Sequence, residues 1–465
     1  MKHAASSGDR PPSQAVLARL TTLTFLVGLL LSAVMVARSQ VGGDQLNMLS
    51  RGWLWAVEGE LVPYGLPTSA GGKAPGSLTS YVVGVPLRLW QHHRAPTLLL
   101  FGAHLIGYLL LDRMIGRELG GFGRLLFAIL YWINPWRMYH SGFLWNPSFM
   151  VPLGALHMWT VYRQRDRPRF WESFLQVLTI GLAAQLHTSV VTLVFLSLVL
   201  CWRGYFRFHW TGVVVATIVV AASLVPWAQA VLQDPSLLPR GSSSHARLGQ
   251  AVLSVVRGLG YWLRYPAMIA SSTILCLDFD GLPTALTGDK LRQLVQIMVG
   301  VLTLPVVLWA NTRLWRHSTG WWRRLPSKAP YREWLDGVIR WSLGVTLLAC
   351  LLTPTSVMNW QLLTVLHLAV LPVLLLGTDL LDQGRWAQVR TGAILFALLS
   401  IGLSVAITWG SPMFRCGGET CGSMNANKHA LRSDHVILDE LGINATCRVQ
   451  VNQPGGWWPD VLPEN

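Results

Sequence analysis

Charged residues are scarce in this chain. Asp, Glu, Lys and Arg make up 13% of its 465 residues, whereas a soluble domain carries about 25%. Hydrophobic residues make up 52%, and 23 residues are Trp. This composition excludes a disordered chain and an ordinary soluble enzyme. It indicates a protein that crosses the membrane several times.

Acidic residues are the scarcer of the two charged types. Only 22 Asp and Glu stand against 37 Lys and Arg, which gives a net charge of +15. In a soluble protein this excess would suggest nucleic-acid binding. Here the basic residues cluster in short loops between apolar runs, as they do in membrane chains that keep Lys and Arg on the cytoplasmic side. We therefore expect no nucleic-acid partner.

Cysteine is also rare, and none of the six cysteines belongs to a CxxC pair, so the sequence predicts no metal site of that type. Three of them lie in or beside apolar segments, where cysteine packs as a small hydrophobe. The other three, Cys416, Cys421 and Cys447, lie in a polar tail. If this tail faces an oxidising compartment, we expect a disulfide between Cys416 and Cys421.

Apolar runs long enough to cross a bilayer recur along the chain. The first extends from Leu20 to Ala37 and is predicted to be a transmembrane helix, because it is too long for most signal-peptide cores. With it, the fold class is an all-α polytopic membrane protein with about eleven transmembrane helices. The other predicted spans cover residues 97–114, 122–138, 147–162, 171–188, 190–202, 211–231, 291–314, 335–352, 360–378 and 391–408.

The dense basic loops between these helices all fall on one side of the membrane, which orients the chain. We expect an integral protein of a plasma or bacterial inner membrane, with the N-terminus in the cytoplasm and the C-terminus outside. Residues 1–408 form the predicted transmembrane domain. Within it, residues 38–96 form a first outer loop with interfacial helices, and residues 232–290 form a long outer loop. Residues 409–465 form a small extracytoplasmic tail.

The few acids of the chain cluster on the predicted outer face rather than within the helices. Asp44, Glu58 and Glu60 lie in the first outer loop, and Asp278, Asp280 and Asp289 lie in the long one. A transporter places ionisable residues within its helices. The distribution therefore favours an active site at the outer surface of the membrane.

The first outer loop carries three short motifs in a defined order. Asp44 follows the first helix in GGDQ, EGELVP follows at Glu58–Pro63, and a Lys-Ala-Pro turn follows at Lys73–Pro75. This order resembles the first loop of the GT-C superfamily of membrane glycosyltransferases, in particular the protein O-mannosyltransferase and lipid A aminoarabinose transferase group. Members of that group pair an acid after the first helix with a GDxxVP-like turn and a KPP-like turn. The segment Ile129–Phe149 resembles their next outer turn.

The resemblance implies an inverting transfer of a sugar from a polyprenyl-phosphate donor to a lipid, glycan or protein acceptor outside the cytoplasm. It implies that Asp44 is the general base and that Lys73 and His187 bind the donor phosphate. It assigns no certain cofactor and leaves a divalent metal open, because the family's second acid is replaced in the next outer turn. The residues expected to shape the sugar or acceptor pocket are Glu60, His140 and Asn146.

Other interpretations stay open from the sequence. Asp44 is also a standard N-cap for the helix that follows it, Lys73 can be a surface lysine, and His187 can be a packing histidine. A polymerase or ligase of lipid-linked glycans would also act outside and would use arginines of the 232–290 loop. A transporter or flippase of a lipid-linked sugar is the alternative from another class.

Overall fold

The structure is a computed structural model, and it describes residues 12–38, 43–68, 72–238, 248–270, 274–275, 289–316, 329–353 and 357–410. The described chain is mostly helical. The predicted Cys416–Cys421 disulfide and the predicted tail beyond residue 410 lie outside the described residues. The α-helices are α1 (Gln14–Ala37), α2 (Gly43–Trp53), α3 (Leu78–Leu89), α4 (Arg94–Phe127), α5 (Pro135–Gly142), α6 (Asn146–Arg163), α7 (Phe170–Leu186), α8 (Val190–Trp202), α9 (Trp210–Ser223), α10 (Val225–Gln233), α11 (Leu248–Arg264), α12 (Asp289–Arg316), α13 (Tyr331–Leu352), α14 (Leu366–Ala369), α15 (Leu371–Asp382) and α16 (Trp386–Gly410).

Six described helical segments are long and apolar enough to cross a membrane, and the pair α9–α10, bent by 42°, would make a seventh. This agrees with the prediction of a polytopic membrane protein, because a bilayer core needs about 20 apolar helical residues. Helices α6, α7 and α8 coincide with three further predicted spans. The six segments are Gln14–Ala37, Arg94–Trp132, Lys290–Arg316, Tyr331–Leu352, Asn359–Asp382 and Trp386–Thr408.

Helix α4 contains a chain reversal at Gly120, whose φ of 71° and ψ of −168° are not helical. Arg124, after the break, forms an ion pair of 2.6 Å with Asp112, before it. In a straight helix these two residues would be about 18 Å apart along the axis. The contact therefore requires that residues 94–119 and the segment after Gly120 are two helices that run back along each other. This agrees with the prediction of two separate spans, 97–114 and 122–138.

Two short helices and a hairpin follow the first long helix. Helices α2 and α3 are too short to cross a bilayer, and they pack on each other over a hydrophobic cluster that includes Met48, Trp53 and Val83. Between them lies an antiparallel hairpin of two strands, β1 (Tyr64–Pro67) and β2 (Lys73–Pro75). This hairpin is the one β element among the described residues, and the all-α prediction did not include it.

Part of the predicted outer loop 232–290 is packed into the core. Trp262 in α11 and Tyr265 after it are completely buried. The chain turns at Met268, which has a φ of 57°. Side chains of α12 donate hydrogen bonds to the backbone carbonyls that have no helical partner at this turn. Thr303 Oγ1 donates to Ala267 O at 2.8 Å, and Gln296 Nε2 donates to Ala270 O at 2.6 Å. These bonds satisfy the backbone groups that the broken helix leaves without partners.

Candidate active site

Asp44 lies in the first turn of α2, because the helix begins at Gly43. Its Oδ2 accepts a hydrogen bond of 2.7 Å from Nε1 of Trp145, the residue that immediately precedes α6. Helix N-terminal amides and an N–H donor both stabilise the ionised carboxylate. The structure thus joins the acid of the first predicted outer loop to the next predicted outer turn, 101 residues away.

His140, in α5, and Asn146, the first residue of α6, lie on either side of Trp145 in the chain. The His140 ring lies nearly parallel to the Trp145 ring, with 6.5 Å between the centroids. Its Nδ1 bonds Ser148 Oγ at 3.0 Å. Burial lowers the pKa of His140 to about 3, so the ring is neutral at pH 7. Nε2 of His140 and Oδ1 of Asn146 are buried and have no hydrogen-bond partner among the described residues, which leaves both atoms for a ligand or water.

A second group of polar side chains surrounds Tyr64 of β1. The Arg51 guanidinium lies 5.2 Å and the Lys73 ammonium 5.9 Å from the centroid of the Tyr64 ring. Arg51 is completely buried, and its Nε donates to Asn47 Oδ1 at 2.8 Å. Its Nη2 has no partner among the described residues. Two cations beside one ring, one of them with a buried donor left over, form a site suited to an anion such as phosphate.

The Arg51 side chain is a functional candidate that the sequence analysis missed. Burial lowers its pKa to about 10, so it remains charged at pH 7, and within the described part of the chain no carboxylate pairs with it. Asp44, Asn47 and Arg51 follow the spacing i, i+3, i+7, which places them on one face of α2. This spacing was the available signal. It puts Asp44 and Arg51 about 10 Å apart along the helix axis.

His187 lies directly after α7, near the hairpin that carries Lys73. Gly65 of β1 packs against the backbone carbonyl of Gln185, and Gly76, with a φ of +78°, packs against the Gln185 side chain. Nδ1 of His187 accepts a bond of 3.2 Å from Ser189 N. In the neutral ring the proton therefore lies on Nε2. The structure brings this part of α7 and the Lys73 hairpin together.

Glu60 is placed differently from the other predicted site residues. It is exposed, its backbone N–H donates to Leu54 O at 3.0 Å, and its side chain makes no hydrogen bond or ion pair with another described residue. Its role in the pocket stays a prediction. The structure also shows no group of three or more His, Cys, Asp or Glu side chains placed to hold a metal ion within the residues it describes.

The helical segments define the class of this chain: it is a polytopic helical membrane protein. No protein-family model matches the chain, and no curated protein matches it. Its structure is similar to the apo crystal structure of ArnT from Cupriavidus metallidurans, with 13% sequence identity, 84% of this chain and 77% of that chain covered, and a TM-score of 0.40. It is also similar to the structure of that ArnT bound to undecaprenyl phosphate, with 12% identity, coverage of 78% and 79%, and a TM-score of 0.40. At this TM-score and identity, neither likeness carries an argument about function.

Proposed function

We propose that this chain is an inverting glycosyltransferase, which moves a sugar from a polyprenyl-phosphate donor to an acceptor on the extracytoplasmic side of the membrane. One observation carries the proposal: a carboxylate and a buried cation, Asp44 and Arg51, occupy one face of α2. The carboxylate is anchored by Trp145, and the cation shares the Tyr64 ring with Lys73. The loop motifs described above agree with this arrangement.

In the proposed reaction, Asp44 accepts the proton of an acceptor hydroxyl, whose oxygen forms the new bond to the anomeric carbon of the donor sugar. The bond between that carbon and the phosphate oxygen breaks on the opposite face, so the configuration inverts. The leaving group is the polyprenyl phosphate. Lys73, Arg51 and His187 stabilise the charge that it gains, while His140, Asn146 and Glu60 contact the sugar or the acceptor.

The orientation of the chain belongs to the same proposal. About eleven helices, with the N-terminus in the cytoplasm and α2, α3 and the hairpin at the outer membrane surface, would place Asp44 where the aqueous phase meets the bilayer. A lipid-linked donor cannot leave the bilayer, so its sugar reaches the carboxylate at that level. The acceptor is a lipid, a glycan or a protein.

The test uses purified protein in nanodiscs and a panel of polyprenyl-phosphate monosaccharides. Asp44→Asn keeps the size of the side chain and its bond to Trp145 but removes the proton acceptor. We expect this variant to bind undecaprenyl phosphate as the wild type does and to lose sugar transfer by about 100-fold or more. The matched control is Asp166→Asn, at an exposed carboxylate in the turn after α6. Transfer by Asp44→Asn at the wild-type rate would remove the base from the proposal.

Lys73→Ala tests the phosphate side of the site. A charge-assisted hydrogen bond contributes about 1.5–3 kcal/mol, so the variant should bind undecaprenyl phosphate about 10- to 100-fold more weakly. Unchanged affinity together with unchanged turnover would return Lys73 to the role of a surface lysine.

A lipid-linked sugar transporter is the second candidate, and a chain of buried polar side chains supports it. Gln164 donates to Gln176 at 2.8 Å, Gln176 donates to Ser197 at 3.0 Å, and Ser197 Oγ lies 2.7 Å from His157 Nε2. These residues belong to α6, the turn after it, α7 and α8. A transporter would move the lipid-linked sugar between leaflets without cleaving its sugar–phosphate bond. Protein in liposomes, supplied with a labelled lipid-linked sugar, distinguishes this movement from sugar transfer.

The polymerase or ligase alternative relies on free arginines in the 232–290 loop. Arg264 is already used within the fold, because its Nε donates to Ile269 O at 3.1 Å and its Nη2 to Ala270 O at 3.2 Å. Arg264 therefore holds the turn after α11, and this alternative would have to use another arginine of the loop.

A further inference from the structure

Two tryptophans meet at the side of Asp44. The Trp145 and Trp360 rings lie edge to face, with centroids 5.2 Å apart and an interplanar angle of 65°. Both side chains are half-buried, so each ring keeps part of its surface open. Trp145 is the residue whose indole N–H donates to Asp44 at 2.7 Å. The corner between the two rings therefore adjoins the carboxylate.

The Trp145 ring and the backbone next to Trp360 are held in place by contacts that do not involve a ligand. The Trp145 ring is fixed by its bond to Asp44 and by the His140 ring stacked on it. Trp360 belongs to the 3-10 turn Asn359–Val365, and Tyr265 Oη donates to the carbonyl oxygen of Asn359 at 2.5 Å. An aromatic corner that is ordered in advance costs little entropy when a ligand binds.

A sugar ring matches this corner chemically. One face of a pyranose presents C–H groups, which pack on the electron-rich face of an indole, while its edge presents hydroxyl groups that need hydrogen-bond partners. Two buried polar atoms that have no hydrogen-bond partner among the described residues lie close to Trp145 in the chain, namely His140 Nε2 in α5 and Asn146 Oδ1 at the start of α6. Apolar faces with a few fixed polar atoms are typical of small-molecule sites.

We propose that Trp145 and Trp360 form the subsite for the donor sugar, and that Trp145 also positions Asp44 for catalysis. The C–H face of the sugar packs into the corner of the two indoles, with its hydroxyl edge toward Asn146 and His140. Arg51 and Lys73 hold the phosphate of the same donor. This inference rests on the proposed function and adds to it the group that recognises the sugar.

The stacking role is tested by comparing the affinity for undecaprenyl phosphate with the affinity for its glucosyl, mannosyl and aminoarabinosyl derivatives. We expect the wild type to bind at least one derivative about 10-fold or more tightly than undecaprenyl phosphate itself. Trp360→Ala should abolish this difference and leave the affinity for undecaprenyl phosphate unchanged. Trp360→Phe should restore most of it. The control is Trp210→Ala, at a ring that is 70% exposed at the start of α9.

The positioning role is tested with Trp145→Phe, which keeps an aromatic ring but removes the N–H donor. Donor affinity should stay within about threefold of the wild type, while kcat falls about 10-fold or more. Because the lost hydrogen bond favoured the ionised carboxylate, the pKa of Asp44 rises and the acidic limb of the pH–kcat profile shifts to higher pH. A variant that was only damaged structurally would lose activity without this shift.

The outcomes separate the two proposals. If the wild type transfers sugar but Trp360→Ala keeps the full preference for the sugar-bearing lipid, the subsite is wrong and the proposed function stands. An effect of Trp360→Ala on the KM for the acceptor alone also overturns the donor-sugar assignment. If Trp145→Phe leaves kcat and its pH profile unchanged, the positioning role is wrong. If the wild type neither binds nor uses any lipid-linked sugar, both proposals fail.

Discussion

Nη1 of Arg51 lies 2.6 Å from the carbonyl oxygen of Tyr64, and this hydrogen bond joins α2 to the hairpin that carries Lys73. The same guanidinium bonds Asn47 through Nε, so its planar fork spans two elements. Nε and Nη1 are both bonded within the protein, so the planar guanidinium cannot turn freely. Its third nitrogen, Nη2, therefore keeps a fixed direction. The relationship makes Arg51 both a structural link and a candidate phosphate ligand.

Arg51→Lys tests whether Arg51 acts through its forked geometry or only through its positive charge. Lysine keeps the positive charge but loses the fork, so we expect the affinity for undecaprenyl phosphate to fall about 10-fold. The melting temperature in detergent should also fall. The matched control is Arg88→Lys, at an exposed arginine of α3, the helix that packs on α2. Its guanidinium lies 4.1 Å from the centroid of the Trp55 ring. Equal affinities for the wild type and Arg51→Lys would show that Arg51 is structural only.

Gly154 of α6 is expected to be intolerant of a larger residue. A Cβ at this position would overlap the backbone carbonyl of Thr364, in the turn that carries Trp360. Overpacking of this kind costs about 1–3 kcal/mol, so Gly154→Ala should lower the melting temperature. Because the displaced turn carries Trp360, the variant should also lose part of its preference for the sugar-bearing lipid over undecaprenyl phosphate. Gly102→Ala in α4 is the control, because a Cβ there meets nothing within 4 Å. A Gly154→Ala protein as stable as the control would contradict the packing described here.

The buried His140 ring predicts a specific dependence of stability on pH. Its pKa is lowered from 6.5 to about 3 in the folded protein by desolvation, so the unfolded state binds the proton more readily. The contribution of neutral His140 is fully present above about pH 6.5 and is lost progressively as the pH falls toward 3. Between pH 7.5 and 5.0, the melting temperature of the wild type should therefore fall more than that of His140→Gln. Equal falls in the melting temperature of the two proteins would show that protonation of this ring does not destabilise the folded state.

The orientation predicts the location of the C-terminus. A reporter that fluoresces only in the cytoplasm should stay silent when fused after Asn465, and alkaline phosphatase fused there should be active. The reason is that the basic loops predict an outer end for the last helix. Insertion of the same reporters after Asp166, in a predicted cytoplasmic turn, should give the opposite pair of signals. Cytoplasmic fluorescence from the C-terminal fusion would overturn the topology.

The sequence by itself determined the class of this protein and most of its long helices. The predicted spans 335–352 and 391–408 fall within Tyr331–Leu352 and Trp386–Gly410. The reason is local, because a long apolar run in a bilayer must satisfy its backbone hydrogen bonds within itself, and a helix does so. The two predicted helices on either side of Gly120 follow from the same local patterns.

The tertiary structure decided which polar side chains meet. Asp44 and Trp145 are bonded across 101 residues of sequence, Arg51 and Lys73 share the Tyr64 ring, and Glu60 is exposed. Periodicity places a residue on a face of its own helix. It does not say which other helix covers that face, because this depends on close packing among segments distant in sequence, as at Gly154 against Thr364.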